Sequence, residues 1–203
     1  ASDVYKRQLL LDTVGNREGL YSERQDVVGA RPQHCLILAN QPASLELVMK
    51  AFTQRPQLIT LAHVGQPFEG ENSLHVLAVN SQEKILCEVV ELAAKNLTAQ
   101  QCKETFLSPA TGVFFHDEPM CLYGSYPFSY AVAFSLDDVL IKMLECSRKY
   151  PAMEGLIDLN EPSYACPITG FLPLHVAVAN SLTTMFNFLV DLPGLCLLYT
   201  SDA

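Results

Sequence analysis

The densest group of reactive side chains in the sequence is an imidazole, two carboxylates and a thiol: His116, Asp117, Glu118 and Cys121. A metal site needs three or four convergent ligands, and no second cluster of such residues appears elsewhere in the chain. Cys35 beside His34 makes no better case for a thiol–imidazole pair, and no glycine-rich phosphate loop is present. We therefore expect a non-enzymatic protein with no catalytic residue, no metal and no cofactor.

The composition indicates one soluble domain that does not bind nucleic acid. Of the 203 residues, 49% are apolar and 17% are charged, and no apolar run is long enough to span a bilayer. The net charge of −9 argues against nucleic acid or an anionic membrane as a partner. The seven cysteines are scattered without a CxxC, and their odd count favours a reducing cytosol.

The two ends of the chain look foreign to the rest. Residues 1–8 (ASDVYKRQ) and 196–203 (CLLYTSDA) resemble translated sequencing-adapter sequence. We therefore expect the native residues to run from about Leu9 to Leu195, with both true termini missing. Residues 9–30 stay uncertain: their apolar start fits the tail of an earlier repeat, and the remainder is polar and fits a loop.

Three stretches of the chain repeat one pattern, and they can be aligned on His75, Ser129 and His175. Small or aliphatic residues follow two and three places on, and a serine follows six places on. Pairs of large apolar residues follow at ten and eleven and at fourteen and fifteen places. This spacing predicts a helix–turn–helix unit that is too small to bury its apolar face alone and must stack on a neighbour.

Each unit is expected to contain a short helix, a break and a longer helix. Proline suits the first position of a helix, so the short helices should begin at equivalent positions, Ser73, Pro127 and Pro173. At residues 80–81 and 180–181 we expect asparagine to take a left-handed conformation and serine to cap the second helix. Residues 135–138 (SLDD) have the spacing of a capping box.

These units carry the marks of an ankyrin repeat. Its signature T-P-L-H-x-A is met by residues 173–177 and less fully by 73–77, whereas Ser129 replaces the histidine in the middle copy. A degraded first unit is expected at 31–53, with helices at 35–39 and 43–52. The predicted fold is all-α, an ankyrin-repeat solenoid of about four helix–turn–helix repeats with long finger loops. Within a domain spanning 31–195, the repeats lie near 31–53, 72–95, 126–149 and 172–192.

Five residues of this solenoid are expected to be structural. His75 and His175 occupy the signature position, where histidine forms hydrogen bonds between repeats. Leu74, Leu174 and Phe128 precede that position and should be core residues shared by adjacent repeats.

The repeats are spaced more widely than the ordinary ankyrin period of about 33 residues. About 21 extra residues lie between Val90 and Tyr126, and about 13 lie between Leu144 and Leu172. The first insertion carries four large apolar side chains, Phe114, Phe115, Leu122 and Tyr123. So much apolar surface in a loop needs a partner. We hypothesise that it contacts another polypeptide, the alternative being that it folds back on the outer helices.

The insertion and the repeats around it resemble a known family. Residues 110–115 (ATGVFF) and 121–131 (CLYGSYPFSYA) are similar to the long third finger and following repeat of vanilloid-type transient receptor potential (TRPV) channels. Residues 68–75 (FEGENSLH) resemble the start of that family's third repeat, and 172–192 resemble its fifth. Two features depart from the family: Ser125 and Tyr126 stand where a Gly-Glu is usual, and the fifth repeat lacks its Gly-Asn-Thr lead-in.

The resemblance implies a cytosolic ankyrin domain of a tetrameric cation channel, often calcium-permeable. It implies that the third finger packs on a neighbouring subunit of a homo- or hetero-tetramer, and that cytosolic regulatory proteins are further partners. The fragment would lie at the cytosolic face of a membrane without entering it. Some family members bind nucleotide on the concave face, but here Glu69 and Glu71 flank the one matching aromatic, Phe68, and would repel phosphate.

The alternative function is a soluble ankyrin adaptor that binds a protein on its concave face. Neither interpretation gives chemistry to the remaining acidic residues. Glu69, Glu71, Asp137 and Asp138 are expected to cap helices or to lie on solvated faces.

Overall fold

A computed structural model of the chain describes residues 29–116, 122–157, 159, 168 and 170–192. Over these residues the chain is helical, with one isolated β-bridge and no strand. The fold is therefore all-α, which confirms that part of the prediction. The adapter-like ends, 1–8 and 196–203, lie outside the described residues, as do residues 9–28.

Eight described helices form four pairs, each with an inner helix of seven residues followed by a longer outer helix. The first two pairs are α1 (Pro32–Leu38) with α2 (Pro42–Gln54), and α3 (Ser73–Val79) with α4 (Glu83–Asn96). A separate helix, α5 (Ala99–Phe106), follows. The last two pairs are α6 (Pro127–Ala133) with α7 (Asp137–Lys149), and α8 (Pro173–Ala179) with α9 (Thr183–Asp191). None of the described helices is both long enough and apolar enough to cross a lipid bilayer.

The four pairs lie side by side in chain order. The inner helices pack in sequence, α1 on α3, α3 on α6 and α6 on α8, and the outer helices α2, α4 and α7 do the same. Buried apolar residues from all four pairs join in one core, including Ile37, Val89, Met143 and Leu189. Each pair therefore buries its apolar face against its neighbours, as the spacing of the repeats predicts.

The inner helices begin where the repeat pattern predicts, because Ser73, Pro127 and Pro173 are their first residues. The prediction for the first pair was wrong by three residues at its start. α1 begins at Pro32 rather than Cys35, because proline again takes the first helical position and His34 lies at the third. His34 is therefore the counterpart of His75 and His175.

The break between the two helices of a pair differs from the prediction. The left-handed residues are not Asn80 and Asn180 but the residues that follow the inner helices by two: Asn40, Ser81, Ser135 and Ser181, with φ between 49° and 57°. Asn80 stays near a helical φ of −85° because its side-chain amide donates to the Val76 carbonyl at 2.8 Å. Asn180 makes the same bond to Val176.

No serine side chain caps an outer helix of the second, third or fourth pair. The residues at the N-caps are Gln82, Leu136 and Leu182, none of which caps through its side chain. The capping box predicted for 135–138 is therefore wrong, since Ser135 lies one residue before the N-cap. Instead, the Glu83 side chain of α4 accepts from the Asp138 N–H of α7 at 3.1 Å, which links neighbouring pairs.

The first insertion is not a loop throughout. α5 forms at its start, where Thr98 and Gln101 cap the helix reciprocally: each side chain accepts from the other's backbone N–H, at 3.0 and 3.3 Å. This is the capping-box spacing that sequence analysis overlooked. α5 packs against two 3₁₀ turns, Pro56–Thr60 and Pro151–Met153, so it closes the outer side of the stack.

The predicted shared core residues divide into two groups. Leu74 and Phe128 are buried, as expected. Leu174 is only partly buried and His175 is exposed, so the described residues do not place these two side chains between repeats. No described helix pair follows the fourth pair, and the following pair is what covers these positions in the others.

Leu74→Ala and Leu174→Ala make a matched pair, because the two leucines share one position of the repeat. We expect Leu74→Ala to lower the free energy of unfolding by about 2–5 kcal/mol, because it leaves a cavity in the core. Leu174→Ala should cost about half as much or less, because its side chain is already partly exposed. Denaturant unfolding measures both, and equal costs would contradict this arrangement.

Candidate functional site

Two connecting loops, residues 61–72 and the described parts of 107–126, lie side by side and are joined by main-chain hydrogen bonds. The N–H groups of Thr111 and Gly112 both donate to the Glu69 carbonyl, at 2.8 and 3.0 Å. Phe114 N–H donates to the Pro67 carbonyl at 3.1 Å. The finger predicted from the sequence therefore does not project alone, because it is fixed to the loop before it.

Two glycines allow the loops to approach this closely. A Cβ added to Gly112 would lie 1.9 Å from the Pro67 carbonyl oxygen of the other loop. In the reverse direction, a Cβ on Gly70 would lie 2.0 Å from the Pro109 carbonyl oxygen. Each loop thus contributes one glycine whose missing side chain accommodates the backbone of the other.

The paired loops enclose a cluster of aromatic rings. Phe68 and Phe114 lie 4.9 Å apart between ring centroids, Phe114 and Phe115 5.5 Å, and Phe115 and Tyr130 of α6 6.3 Å. The cluster runs from the exposed edge of the loops to the buried inner helix. It connects the finger to the core of the chain.

The four finger residues do not share one environment. Phe115 is 2% exposed and Leu122 is buried with it in the core, and Tyr123 is partly buried. The hypothesis that these side chains stay outside the core is therefore wrong for Phe115 and Leu122, which are both buried. For Phe115, Phe68 of loop 61–72 and Tyr130 supply the apolar surroundings. Phe114 is 49% exposed, and Val113 beside it is also exposed. These two residues form the tip surface.

A buried histidine joins each of the first two pairs to the loop that follows. His75 Nδ1 accepts from the Asn72 N–H at 3.1 Å, and Nε2–H donates to the Ser125 carbonyl at 3.3 Å. His34 repeats the arrangement, accepting from the Arg31 N–H at 3.3 Å and donating to the Leu61 carbonyl at 3.0 Å. The imidazole thus replaces the Glu or Gln of a capping box and adds a bond to the next unit. The bond from His75 to Ser125 is of the kind that the sequence predicts at this position.

His63 and Glu71 form a second buried polar contact at the base of loop 61–72. His63 Nδ1–H donates to the Glu71 carbonyl at 3.0 Å, and the Glu71 carboxylate lies 3.6 Å from the same nitrogen. The His63 ring also stacks on His34 with centroids 4.3 Å apart. Glu71 was expected on a solvated face, which is wrong, and burial raises the pKa of its carboxyl to about 7.

Burial also lowers the pKa values of two histidines, His34 and His75. Desolvation lowers the pKa of His34 to about 3, and His63 close by lowers it further in the same direction. Desolvation likewise lowers the pKa of His75 to about 3. Both rings are therefore neutral at physiological pH, as their paired donor and acceptor roles require.

Sequence reasoning missed His34, His63 and Asn72 as parts of these junctions. The Asn72 amide donates to the Thr105 carbonyl of α5 at 2.8 Å, and its oxygen accepts from the Leu74 N–H. A signal for His34 was present, since Pro32-Gln33-His34 matches Pro173-Leu174-His175 at two of three places. His63 had no such signal, because it lies in a loop outside the repeat.

Only one member of the cluster around His116 lies within the described residues. His116 lies against Tyr123, with ring centroids 3.8 Å apart, and its other members, Asp117, Glu118 and Cys121, lie outside the described residues. Within the described part of the chain, no group of three His, Cys, Asp or Glu side chains is arranged to hold a metal ion.

Comparison with family models, with curated proteins and with solved structures gives no match to this chain. The interpretation of the site therefore rests on its own geometry.

We expect the stability of the protein to fall as the pH drops below about 6.5. His34 and His75 have pKa values of about 3 in the folded chain. Their imidazoles are therefore protonated near pH 6.5 only in the unfolded chain, which lowers the free energy of unfolding as the pH falls. Glu71 acts in the opposite sense, because the folded chain takes up its proton at about pH 7 and the unfolded chain only at about 4.5. Between pH 6.5 and 4.5 the unfolded chain therefore binds about one proton more than the folded chain. The free energy of unfolding should fall by about 1.4 kcal/mol for each pH unit.

Denaturant unfolding from pH 7.5 to 4.5 measures how the free energy of unfolding changes with pH. His75→Asn should remove about one proton from this slope. A slope that is unaffected by His75→Asn would show that the buried imidazole does not cause the acid sensitivity.

Proposed function

We propose that the chain is an ankyrin-repeat interaction module, a solenoid of about four helix–turn–helix repeats, and that it has no enzymatic activity. The observation that carries this proposal is the repeated junction: each short helix ends before a left-handed residue, and histidines at one position link a helix to the loop that follows. A stack of small units has a long surface relative to its core, which suits binding rather than catalysis.

We further propose that the module belongs to the cytosolic assembly domain of a TRPV-like tetrameric cation channel, at the cytosolic face of a membrane. The finger sequence at 110–115 and 121–131 supports this, as does the tip surface, Val113 and Phe114. A half-exposed phenylalanine held by its neighbour Phe68 is an ordered apolar contact point. Its partner would be a neighbouring subunit, with cytosolic regulatory proteins as further partners.

A specific observation favours a second candidate function, a soluble adaptor that binds a protein on the concave face. Leu38 and Val79 occupy the same position in α1 and α3, and both are exposed although large and apolar. Because α1 and α3 pack side by side, their exposed residues offer a row of contacts to a ligand. Partner binding that depends on Leu38 and Val79 but not on Phe114 would favour this function over the first.

Phe114 and Phe115 are adjacent in the chain but differ in burial, so they separate contact with a partner from core packing. Phe115→Ala should lower the free energy of unfolding by about 3–5 kcal/mol, as expected for a buried phenylalanine. Phe114→Ala should lower the free energy of unfolding by about 1 kcal/mol or less. The same change should weaken subunit assembly or alter gating in the full-length channel. Denaturant unfolding and a tetramer-assembly assay measure the two effects.

Either of two results would contradict the proposed subunit contact. A loss of several kcal/mol with Phe114→Ala would show that this ring belongs to the core of its own chain. Unchanged assembly and gating with Phe114→Ala would show that the tip surface has no partner there.

A further inference from the structure

Loop 61–72 is closed at its base by contacts between its two ends. The His63 N–H donates to the Glu71 carbonyl at 2.7 Å, and the Gly70 N–H donates to the His63 carbonyl at 3.2 Å. The imidazole of His63 donates to the same Glu71 carbonyl at 3.0 Å. The base of the loop can therefore open only if His63 separates from Glu71.

The side chain of Glu71 is buried at this base. Its carboxylate lies 3.6 Å from Nδ1 of His63, whose proton is already donated to the Glu71 carbonyl. A contact of 3.6 Å is too long for a hydrogen bond, so the imidazole does not replace the water that the carboxylate loses on burial. Burial therefore favours the protonated carboxyl and raises its pKa to about 7.

The imidazoles around this base are held neutral by their surroundings. His34 stacks on His63, and burial keeps the pKa of His34 and of His75 at about 3. A second proton on His63 would place a charge against the His34 ring and close to Arg31, whose side chain donates to the backbone beside His63 at 3.4 Å. The other charged or titratable side chains of this loop and of the described part of the finger with α5 are exposed: Glu69, Lys103, Glu104 and His116.

The finger is attached to the same short segment that carries the buried carboxyl. Ser108 donates through its hydroxyl to the carbonyl of Gly70, the residue before Glu71, at 2.8 Å. The Thr111 N–H donates to the carbonyl of Glu69, one residue earlier, at 2.8 Å. A change at the base of the loop therefore also acts on the finger and on the tip surface at its edge.

We propose that Glu71 is a proton-dependent switch that controls the opening of the paired loops. With its carboxyl protonated, the base of loop 61–72 stays closed on His63. With its carboxyl ionised, the closed base buries an uncompensated charge, so the base opens more readily and admits water to it. Because these loops carry the tip surface, the order of that surface depends on pH whether or not a partner binds there.

The direction of the effect follows from the proton that Glu71 holds. The closed loops keep this proton up to about pH 7, whereas in opened loops the carboxyl has its ordinary pKa of 4.5. Between these values each opening releases one proton, so the equilibrium constant for opening rises about tenfold per pH unit and levels off above pH 7. The free energy of global unfolding should change in the opposite direction, since the buried histidines make it rise with pH. Local opening can therefore be distinguished from global unfolding.

Amide hydrogen exchange measured by NMR at pH 5, 6 and 7 tests the switch. The reporters are the amides of His63 and Gly70, which form the hydrogen bonds at the base of the loop. After correction for the intrinsic exchange rate, we expect their protection to fall about 100-fold from pH 5 to pH 7. The amides of α4 report on global unfolding and should lose no protection over this range.

Glu71→Gln keeps the size of the side chain but cannot ionise, so it should make the protection of His63 and Gly70 independent of pH. Glu69→Gln is the matched control, because it removes an exposed carboxylate from the same loop and should leave the pH dependence intact. The proposal is overturned by protection that stays constant from pH 5 to 7 in the unchanged chain. A dependence that survives Glu71→Gln, or that Glu69→Gln removes, would overturn it as well.

A direct titration keeps the proposal testable if Glu71→Gln does not fold. The carbon-13 chemical shift of the Glu71 carboxyl group, followed against pH in the unchanged chain, gives the midpoint at which this group ionises. We expect the midpoint near pH 7. A midpoint below about 5.5, close to that of an exposed carboxyl, would overturn the proposal.

Discussion

The first two junctions of the stack depend on one kind of buried hydrogen-bonded group, the neutral imidazole at the third residue of an inner helix. Its two nitrogens have opposite roles: one accepts from the backbone at the start of its own helix, and the other donates to the loop of the next unit. Because a single ring makes both bonds, helix capping and the spacing between units are fixed together. The burial that makes the ring neutral also makes it intolerant of acid.

The backbone break after each inner helix is the second constraint of the repeat. A residue near φ +50° reverses the chain in so few residues that the two helices of a pair must lie against each other. Non-glycine residues take this conformation at a cost of about 1–2 kcal/mol, which the packing of the pair offsets. The helix pair is therefore stable only inside the stack, in keeping with a unit that has little core of its own.

Features that recur in the sequence could be predicted, and features formed between distant loops could not. The helix pairs and the starts of three inner helices follow from short-range spacing around His75, Ser129 and His175. His34 was missed because Gln33 replaces the leucine that marks the signature. Phe115 was placed outside the core because nothing in the sequence shows that loop 61–72 lies beside it. The burial of Glu71 beside His63 could not be predicted either, because both lie in that loop, outside the repeat pattern.

The reciprocal glycines, Gly70 and Gly112, have a mechanical consequence. Because each one lies against the other loop's backbone, neither loop can rotate without displacing its partner. The two loops are therefore joined side by side, with Phe114 at their exposed edge and the His63–His34 ring stack at their base. A displacement of the finger would therefore also displace loop 61–72, whose His63 stacks on His34 of the first helix pair.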